Sequence, residues 1–307
     1  MPFIATLLLI LVPFLEGPAQ NLSSDVMIDR SFDVRPGGVL DMDVNHSDLL
    51  VKTSDNQTAR VLVRLDGRDM SKARDWFERM DFQVFESPNG IVIRAEQPER
   101  SWNSRKTGGA KIGIEVHLPR NFDIVARTSH GDVAIGDLNG RLELVTSHGD
   151  VELGRLEGPI MDVQSSHGDI GIGWMSANTI SLRTSHADIE AVDLKARTIE
   201  ARTSHGNVEL ERTDGDLSIR TSHGRIHVAL AQHADADLRT SHGDIEIDTR
   251  KDLDARLDLK GARARISSSL VFDGEVGEDR VQGRVGRGTN HITANTSHGS
   301  VILKTAW

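Results

Sequence analysis

Cysteine and tyrosine are both missing from this 307-residue chain. Without cysteine there can be no disulfide, no thiolate metal site, no cysteine nucleophile and no lipoprotein attachment. Aromatic residues make up 4% of the sequence, too few for a thick aromatic core or for the stacking platforms of most sugar-cleaving clefts. A thin core of Val, Ile and Leu fits better, as in a solenoid where each rung buries a few aliphatic side chains. A surplus of basic charge is also lacking. Lys and Arg number 36 against 46 Asp and Glu, a net charge of −10, or −9 once Glu16 leaves with the N-terminal segment. That balance disfavours nucleic acid, which needs a basic face, and simple electrostatic adhesion to anionic lipid. The charges are interspersed, as on a solvated surface.

Long hydrophobic runs are confined to the N-terminus. Phe3 to Leu15 is apolar with one proline and precedes Gly17-Pro18-Ala19-Gln20. This reads as a signal peptide over residues 1–19, although no Lys or Arg precedes the apolar run. Its 13 residues fall short of the roughly 20 of a spanning helix. The expectation is an exported protein, periplasmic or extracellular, with no transmembrane helix in the mature chain.

What is present in quantity is one short motif, Thr-Ser-His-Gly-Asp, first seen at Thr128 to Asp132. Its histidines are His130, His148, His167, His186, His205, His223 and His242, spaced 18, 19, 19, 19, 18 and 19 residues apart. His298 follows after a gap of 56, close to three more units. A fixed period near 19 is the signature of a stacked repeat. In each unit an alternating strand, such as Ile180, Leu182, Thr184, enters the motif, and a second strand beginning at a residue like Ile189 leaves it. A short polar connection with one apolar residue, Leu138 in the first unit, closes the rung. The expected fold is all-β, a single-stranded β-solenoid (β-helix) with rungs of about 19 residues.

Parity gives the motif a role. Thr184 and Ile189 both belong inside but stand five residues apart, so strict alternation cannot bury both. The backbone must break phase within Ser-His-Gly-Asp, and glycine permits the positive φ that a corner often needs. Ala187 in one unit means a strained corner there, or a negative φ in every rung.

Residues 20–121 read as a β-rich N-terminal part of the same solenoid, with alternating strands at 31–34, 39–44, 49–53, 59–65, 82–85, 91–95 and 112–118. His46-Ser47-Asp48 has the look of a degenerate corner. Met70, Ala73, Trp76, Phe77 and Met80 share one helical face, so one short capping helix is expected over about 70–80, with Asp69 or Ser71 as its N-cap. Glu96 to Ala110 reads as a long exposed loop. Residues 122–307 are the repeat solenoid proper. In it Gly261 to Ile266 takes the frame of a corner without histidine, Gly283 to Gly288 is a glycine-rich pseudo-rung, and His298 marks the final rung.

The chain resembles the Toastrack domain, a bacterial β-strand-repeat family of unknown function that carries a provisional adhesin label. The residues concerned are Phe32-Asp33-Val34-Arg35-Pro36-Gly37-Gly38, the strand Ile114 to Pro119, the Gly-Asp-hydrophobic corners and the segment Gly283 to Gly288. The resemblance covers nearly all of the mature chain. It implies a β-solenoid in the cell envelope and supplies no catalytic residues. The departure from the family pattern is the histidine that precedes glycine in almost every corner.

Stacking would align those histidines about 4.8 Å apart, with Asp132, Asp150, Asp169, Asp188 and Asp244 in a second column interrupted by Asn207 and Arg225. Three readings follow. The column is structural; or His130, His148, His167, His186, His205, His223 and His242 hold a transition metal such as Zn, Cu or Ni; or it senses pH, since packed imidazoles resist joint protonation. A Ser-His-Asp triad is rejected, because triad members converge from distant positions and an enzyme needs one site, not a ladder. Calcium-binding nonapeptide repeats are set aside, because their Gly-Gly-x-Gly-x-Asp pattern is absent from this chain. An ice-binding threonine ladder needs outward threonines, whereas these face inward. Arg127, Arg183, Arg202, Arg220 and Arg239 form an outward column, read as a cross-rung ion-pair lattice with Glu190, Glu209 and Glu246, or else as an anion or glycan stripe. Taken together, the sequence points to a non-enzymatic, monomeric, adhesin-like or scaffold solenoid. It would carry no resident cofactor, its partner being an envelope polymer or a protein, and transition-metal binding is the alternative.

Overall fold

The computed structural model describes residues 24–95, 107–231 and 234–306. The signal-peptide reading, Trp102, most of the 96–110 loop and Trp307 lie outside those residues. All strands belong to one hydrogen-bonded sheet. Among the described residues the only helix is α1, Met70–Glu78, capped by the Asp69 side chain, which accepts from the Lys72 amide at 3.3 Å. Its Ala73, Trp76 and Phe77 are buried, as the apolar spacing predicts.

The regular part is a parallel β-solenoid. Strands β1 (Val151–Gln164), β2 (Ile170–Arg183), β3 (Ile189–Arg202) and β4 (Val208–Arg220) lie side by side, in register except for a one-residue shift between β3 and β4 after Lys195. Ile170 pairs with Ile189 and Leu182 with Ala201, so like sits on like. Inward positions in one rung are Ile170, Ile172, Met175, Ile180 and Leu182. Alternation therefore breaks twice within the strand and again at the corner, leaving three groups of inward side chains per turn. The connection residue expected to be apolar is indeed buried in successive rungs, as Leu138, Leu156, Met175, Leu194 and Leu230, with Thr213 in one.

Chain order and spatial order part company at both ends. The strand pair β5 (Gly38–Asp43) and β6 (Ser47–Ser54) packs directly against the first repeat at 122–135. The later strands β7 (Gly90–Arg94) and β8 (Lys111–Pro119) then lie outside it. The C-terminal end does the same. The strand pair β9 (Asn290–Thr296) and β10 (Ser300–Thr305) stacks on 236–249. Strands β11 (Ala255–Lys260) and β12 (Arg263–Ile266) lie outside that. The 56-residue gap thus holds one rung, not three, and His298 is not on the last rung in space. Gly283 belongs to β13 (Arg280–Val285), which runs antiparallel to β11 and so is no rung at all. At the other end Thr58–Asp66 runs antiparallel to β8. An antiparallel strand cannot propagate a parallel stack, so each end is closed against further rungs.

The 96–110 loop was expected to be exposed throughout. Its described part is not: Thr107 and Ala110 are buried. The Gly108 carbonyl accepts from the amides of Arg68 and Asp69 at 3.0 and 3.1 Å, which fixes the start of α1.

Candidate functional site

Every motif histidine lies on one edge of the solenoid, and His46 joins them. The order in space is His46, His130, His148, His167, His186, His205, His223, His242, His298. Successive ring centroids are 4.4, 4.5, 4.5, 4.7, 5.1, 4.9, 4.7 and 4.6 Å apart, and no pair of planes departs from parallel by more than 9°. Nine imidazoles form an unbroken stack. The degenerate corner at His46 is therefore a true member, reached without glycine by placing His46 itself at φ 57°. The direction the sequence left open is outward: His46 is half-buried and the other eight are exposed.

Backbone bonds set the spacing. The His167 amide donates to the Ser147 carbonyl at 3.0 Å, and the same bond recurs up to His298, which donates to Ser241 at 3.0 Å. Some rings are tied back as well. His167 Nδ1 lies 3.4 Å from the Ser147 carbonyl and His298 Nδ1 3.2 Å from that of Ser241. A carbonyl only accepts, so Nδ1 carries the proton and Nε2 keeps its lone pair. His130 Nδ1 instead meets the Ser129 hydroxyl at 3.1 Å. Burial and the adjacent His130 ring push the His46 pKa down, and burial and the His148 ring do the same to His130.

The aspartate column is bound along the axis and does not reach the rings. Asp132 Oδ1 accepts from the Asp150 amide at 3.0 Å, Asp150 from Asp169 at 3.0 Å, and Asp169 from Asp188 at 2.8 Å. Asp188 and Asn207 continue the series to Arg225. Arg225 cannot accept, and the series resumes only from Asp244 to Ser300, at 2.7 Å. These carboxylates satisfy corner amides and do not orient the imidazoles as a triad acid would.

Threonine closes the corner from inside. Thr240 Oγ1 donates to the Gly224 carbonyl at 3.0 Å and accepts from the Gly243 amide at 3.3 Å, and Thr203, Thr221 and Thr296 repeat the pair. The role of glycine differs from the expected positive φ, which occurs only at Gly131 and Gly149. At Gly243 a Cβ would stand 1.8 Å from the Gly224 carbonyl oxygen, so close approach of backbones is what excludes a side chain. Ala187 is the exception and has no positive φ. In its corner the Thr184 hydroxyl is buried without a partner. The extra methyl group and the lost hydrogen bonds coincide at that one corner.

The arginine column runs unbroken from Arg183 through Arg202 and Arg220 to Arg239. Arg127 is separated from it by Val145 and Gln164. The carboxylates paired with it are not Glu190, Glu209 and Glu246, which lie beyond the corner. Arg183 bridges Asp162 and Glu200 at 3.1 and 3.2 Å, Arg202 pairs with Glu200, and Asp237 takes Arg220 and Arg239 at 3.5 and 2.8 Å. Residues two apart on one strand share a face, as Glu200 and Arg202 do, whereas a corner stands between Arg183 and Glu190.

A second cluster escaped the sequence reading. His227, Glu246 and Asp248 place one ligand atom each within 4.8 Å of one another. His227 Nε2 lies 3.1 Å from Asp248 Oδ2, and Nδ1 lies 3.5 Å from Glu209 Oε1. The bond to Asp248 is the main cause of a raised His227 pKa. Lys304 already fills the cluster with a cation, pairing with Glu246 and standing 3.4 Å from Asp248 Oδ1. Aligning the units would have exposed it, since His227 falls between Glu209 and Glu246 in one column.

An end-closed, single-sheet β-solenoid with a ladder of side chains on one corner is the class these features define. The chain belongs to the Toastrack DUF4097 family, whose model matches residues 40–304. No curated protein matches it. Among solved structures, it is similar to a protein from Parabacteroides distasonis ATCC 8503 provisionally named as lipid-binding. Identity there is 13%, coverage 92% of this chain and 96% of that one, and the TM-score 0.41. A provisionally named adhesin from Bacteroides fragilis NCTC 9343 shares 13% identity over 91% of this chain and 96% of its own, with a TM-score of 0.37. No described helix is long and apolar enough to cross a membrane.

Proposed function

We propose that this is an exported, non-enzymatic envelope protein that presents a repetitive surface to an extended partner, an envelope polymer or another protein, as an adhesin or scaffold does. The observation that carries this reading is the in-register pairing of 122–249. It stacks outward positions rung on rung, with histidine in every corner and arginine unbroken from Arg183 to Arg239. A partner with its own repeat can meet many equivalent weak contacts at once, and affinity then grows with rung number. The apolar N-terminal run, Phe3 to Leu15, followed by small residues suits export.

Co-sedimentation of the mature chain with fractionated envelope polymers tests this. A variant lacking residues 168–186, one whole period, keeps the corner register. It is expected to stay folded and to bind the same fraction more weakly. Failure to bind any fraction, or binding indifferent to rung number, overturns the reading. N-terminal sequencing should find the exported chain beginning near Gln20, and an uncut chain in the cytoplasm would exclude export.

A further inference from the structure

Eight of the nine rings in the ladder are exposed, and two of them show which nitrogen faces away from the corner. We propose that the ladder is a multi-ion site for divalent transition metals of the imidazole-preferring kind, Cu, Ni or Zn, with neighbouring Nε2 atoms as ligands. This goes beyond the scaffold reading and does not depend on which polymer or protein the surface meets.

The argument rests on which atoms are free and how far apart they stand. Metal-binding imidazoles characteristically donate their other N–H to a carbonyl or carboxylate, which fixes the tautomer. The Nδ1 contacts of His167 and His298 with Ser147 and Ser241 carbonyls already supply that arrangement. The aspartates do not compete for the rings, because Oδ1 of each is held by the next rung's amide.

Parallel planes leave adjacent lone pairs side by side, not converging. With metal–nitrogen bonds of about 2.0–2.1 Å, two ligands of a tetrahedral ion stand roughly 3.4 Å apart. Ring separations of 4.4–5.1 Å are therefore too long for the stack as it stands. Exposed rings can tilt towards each other in pairs, opposed by the stacking contact and, at His167 and His298, by Nδ1 contacts of 3.4 and 3.2 Å that a small rotation about the Nδ1 side preserves, and water completes the sphere. Paired use of the eight exposed rings gives about four ions per chain, and with no rigid cage to set the geometry affinity should follow the intrinsic order, Cu above Ni and Zn. Binding should compete with protons, since each Nε2 must be neutral to ligate.

Isothermal titration of the full mature chain with the chloride of each metal, near pH 7.5 and again near pH 5.5, tests the proposal. The expected result is more than one ion per chain at the higher pH, with a sharp loss at the lower. Replacing His167, His186 and His205 by Asn removes the middle of the stack and leaves two blocks of three rings. The ion count should then fall by about half, while circular dichroism shows the solenoid intact. With Cu, nitrogen hyperfine splitting in the electron paramagnetic spectrum should report imidazole ligands and weaken in that variant. No binding, or an unchanged count in the triple variant, overturns the proposal. So does a single ion that disappears in His227→Ala, because that locates binding at the His227, Glu246 and Asp248 cluster.

Discussion

The rings of His242 and His298 lie 4.6 Å apart and 4° from parallel, although 56 residues of chain separate them. The chain leaves the ladder after 249, builds an outer rung and an antiparallel strand, and then returns to fill the place in between. A last rung that is laid down early and covered late protects the parallel edge at which a solenoid would otherwise recruit another chain. Replacing residues 250–289 by a short flexible linker should leave the His242–His298 contact formed but uncover that edge. Size-exclusion chromatography is expected to show self-association, and a stable monomer would refute the capping role.

Corner threonines should differ sharply in what their hydroxyls contribute. Thr203 both donates and accepts inside the corner, whereas Thr184 is buried without a partner. Thr203→Val leaves the Ala187 carbonyl and the Gly206 amide unsatisfied and should cost about 1–3 kcal/mol. Thr184→Val removes a hydroxyl that already lacks a partner and should be neutral or stabilising. Paired urea unfolding curves measure the contrast, and equal losses would contradict it.

Close backbone approach, not φ, should decide what the corner glycines tolerate. Gly243→Ala sets a methyl group 1.8 Å from the Gly224 carbonyl oxygen, so the rungs must part locally. A loss of about 2–3 kcal/mol is expected, typical of overpacking. A thermal unfolding midpoint unchanged from the parent would refute this.

The aspartate series stops at Arg225, whose side chain offers no acceptor for the next rung. Arg225→Asn should let residue 225 accept from the Asp244 amide and join the two halves of the series. Stabilisation of about 0.5–1 kcal/mol is the expected gain for one net hydrogen bond, measurable by chemical denaturation. Asp169→Ala, which strips an acceptor from Asp188, should lose a similar amount.

Acid should weaken the fold through the ladder's first rings. His46 and His130 are held below the ordinary 6.5, so the unfolded chain binds protons more readily than the folded one. Their effect on stability is nil well above pH 6.5 and becomes unfavourable as pH falls below it. His227 works the other way. Its pKa is raised, so its stabilising effect is complete below 6.5 and disappears as pH rises through the folded value. Asp254 is one of the carboxylates that act at the acid extreme. Burial opposes ionisation there, but the Thr289 amide and hydroxyl, the Gly288 amide and Arg287 hold the carboxyl at about 2. Its contribution is present above 3.8 and fades as pH falls towards 2. Melting curves across pH should show a shallower decline below pH 6.5 for a His46→Asn, His130→Asn double variant. His227→Asn should lose stability mainly on the acid side of its transition.

Much of the architecture was legible because a solenoid repeats its local rules. Alternation marked Ile180, Leu182 and Ile189 as core, and the five-residue step from Thr184 to Ile189 required a corner. The face of Met70, Ala73, Trp76 and Phe77 marked the helix. Partnerships across a corner were not legible: Arg183 meets Asp162 and Glu200, not Glu190, because each strand turns a different face to solvent after the phase break. The His227 cluster was hidden for a similar reason. Glu246 and Asp248 share one strand, but His227 comes from the rung before, and only an alignment of the units sets it beside them.

The sequence by itself determined the rung: its length, its buried positions and the corner that carries histidine. These follow from side-chain parity and the motif period, which act over a few residues. Only the tertiary structure decided that the ladder has nine rings, that eight of them are exposed and that His298 stacks on His242. Which rung lies next to which is a matter of pairing between strand edges. Edge pairing is indifferent to how much chain lies between, so the period along the sequence could not reveal it.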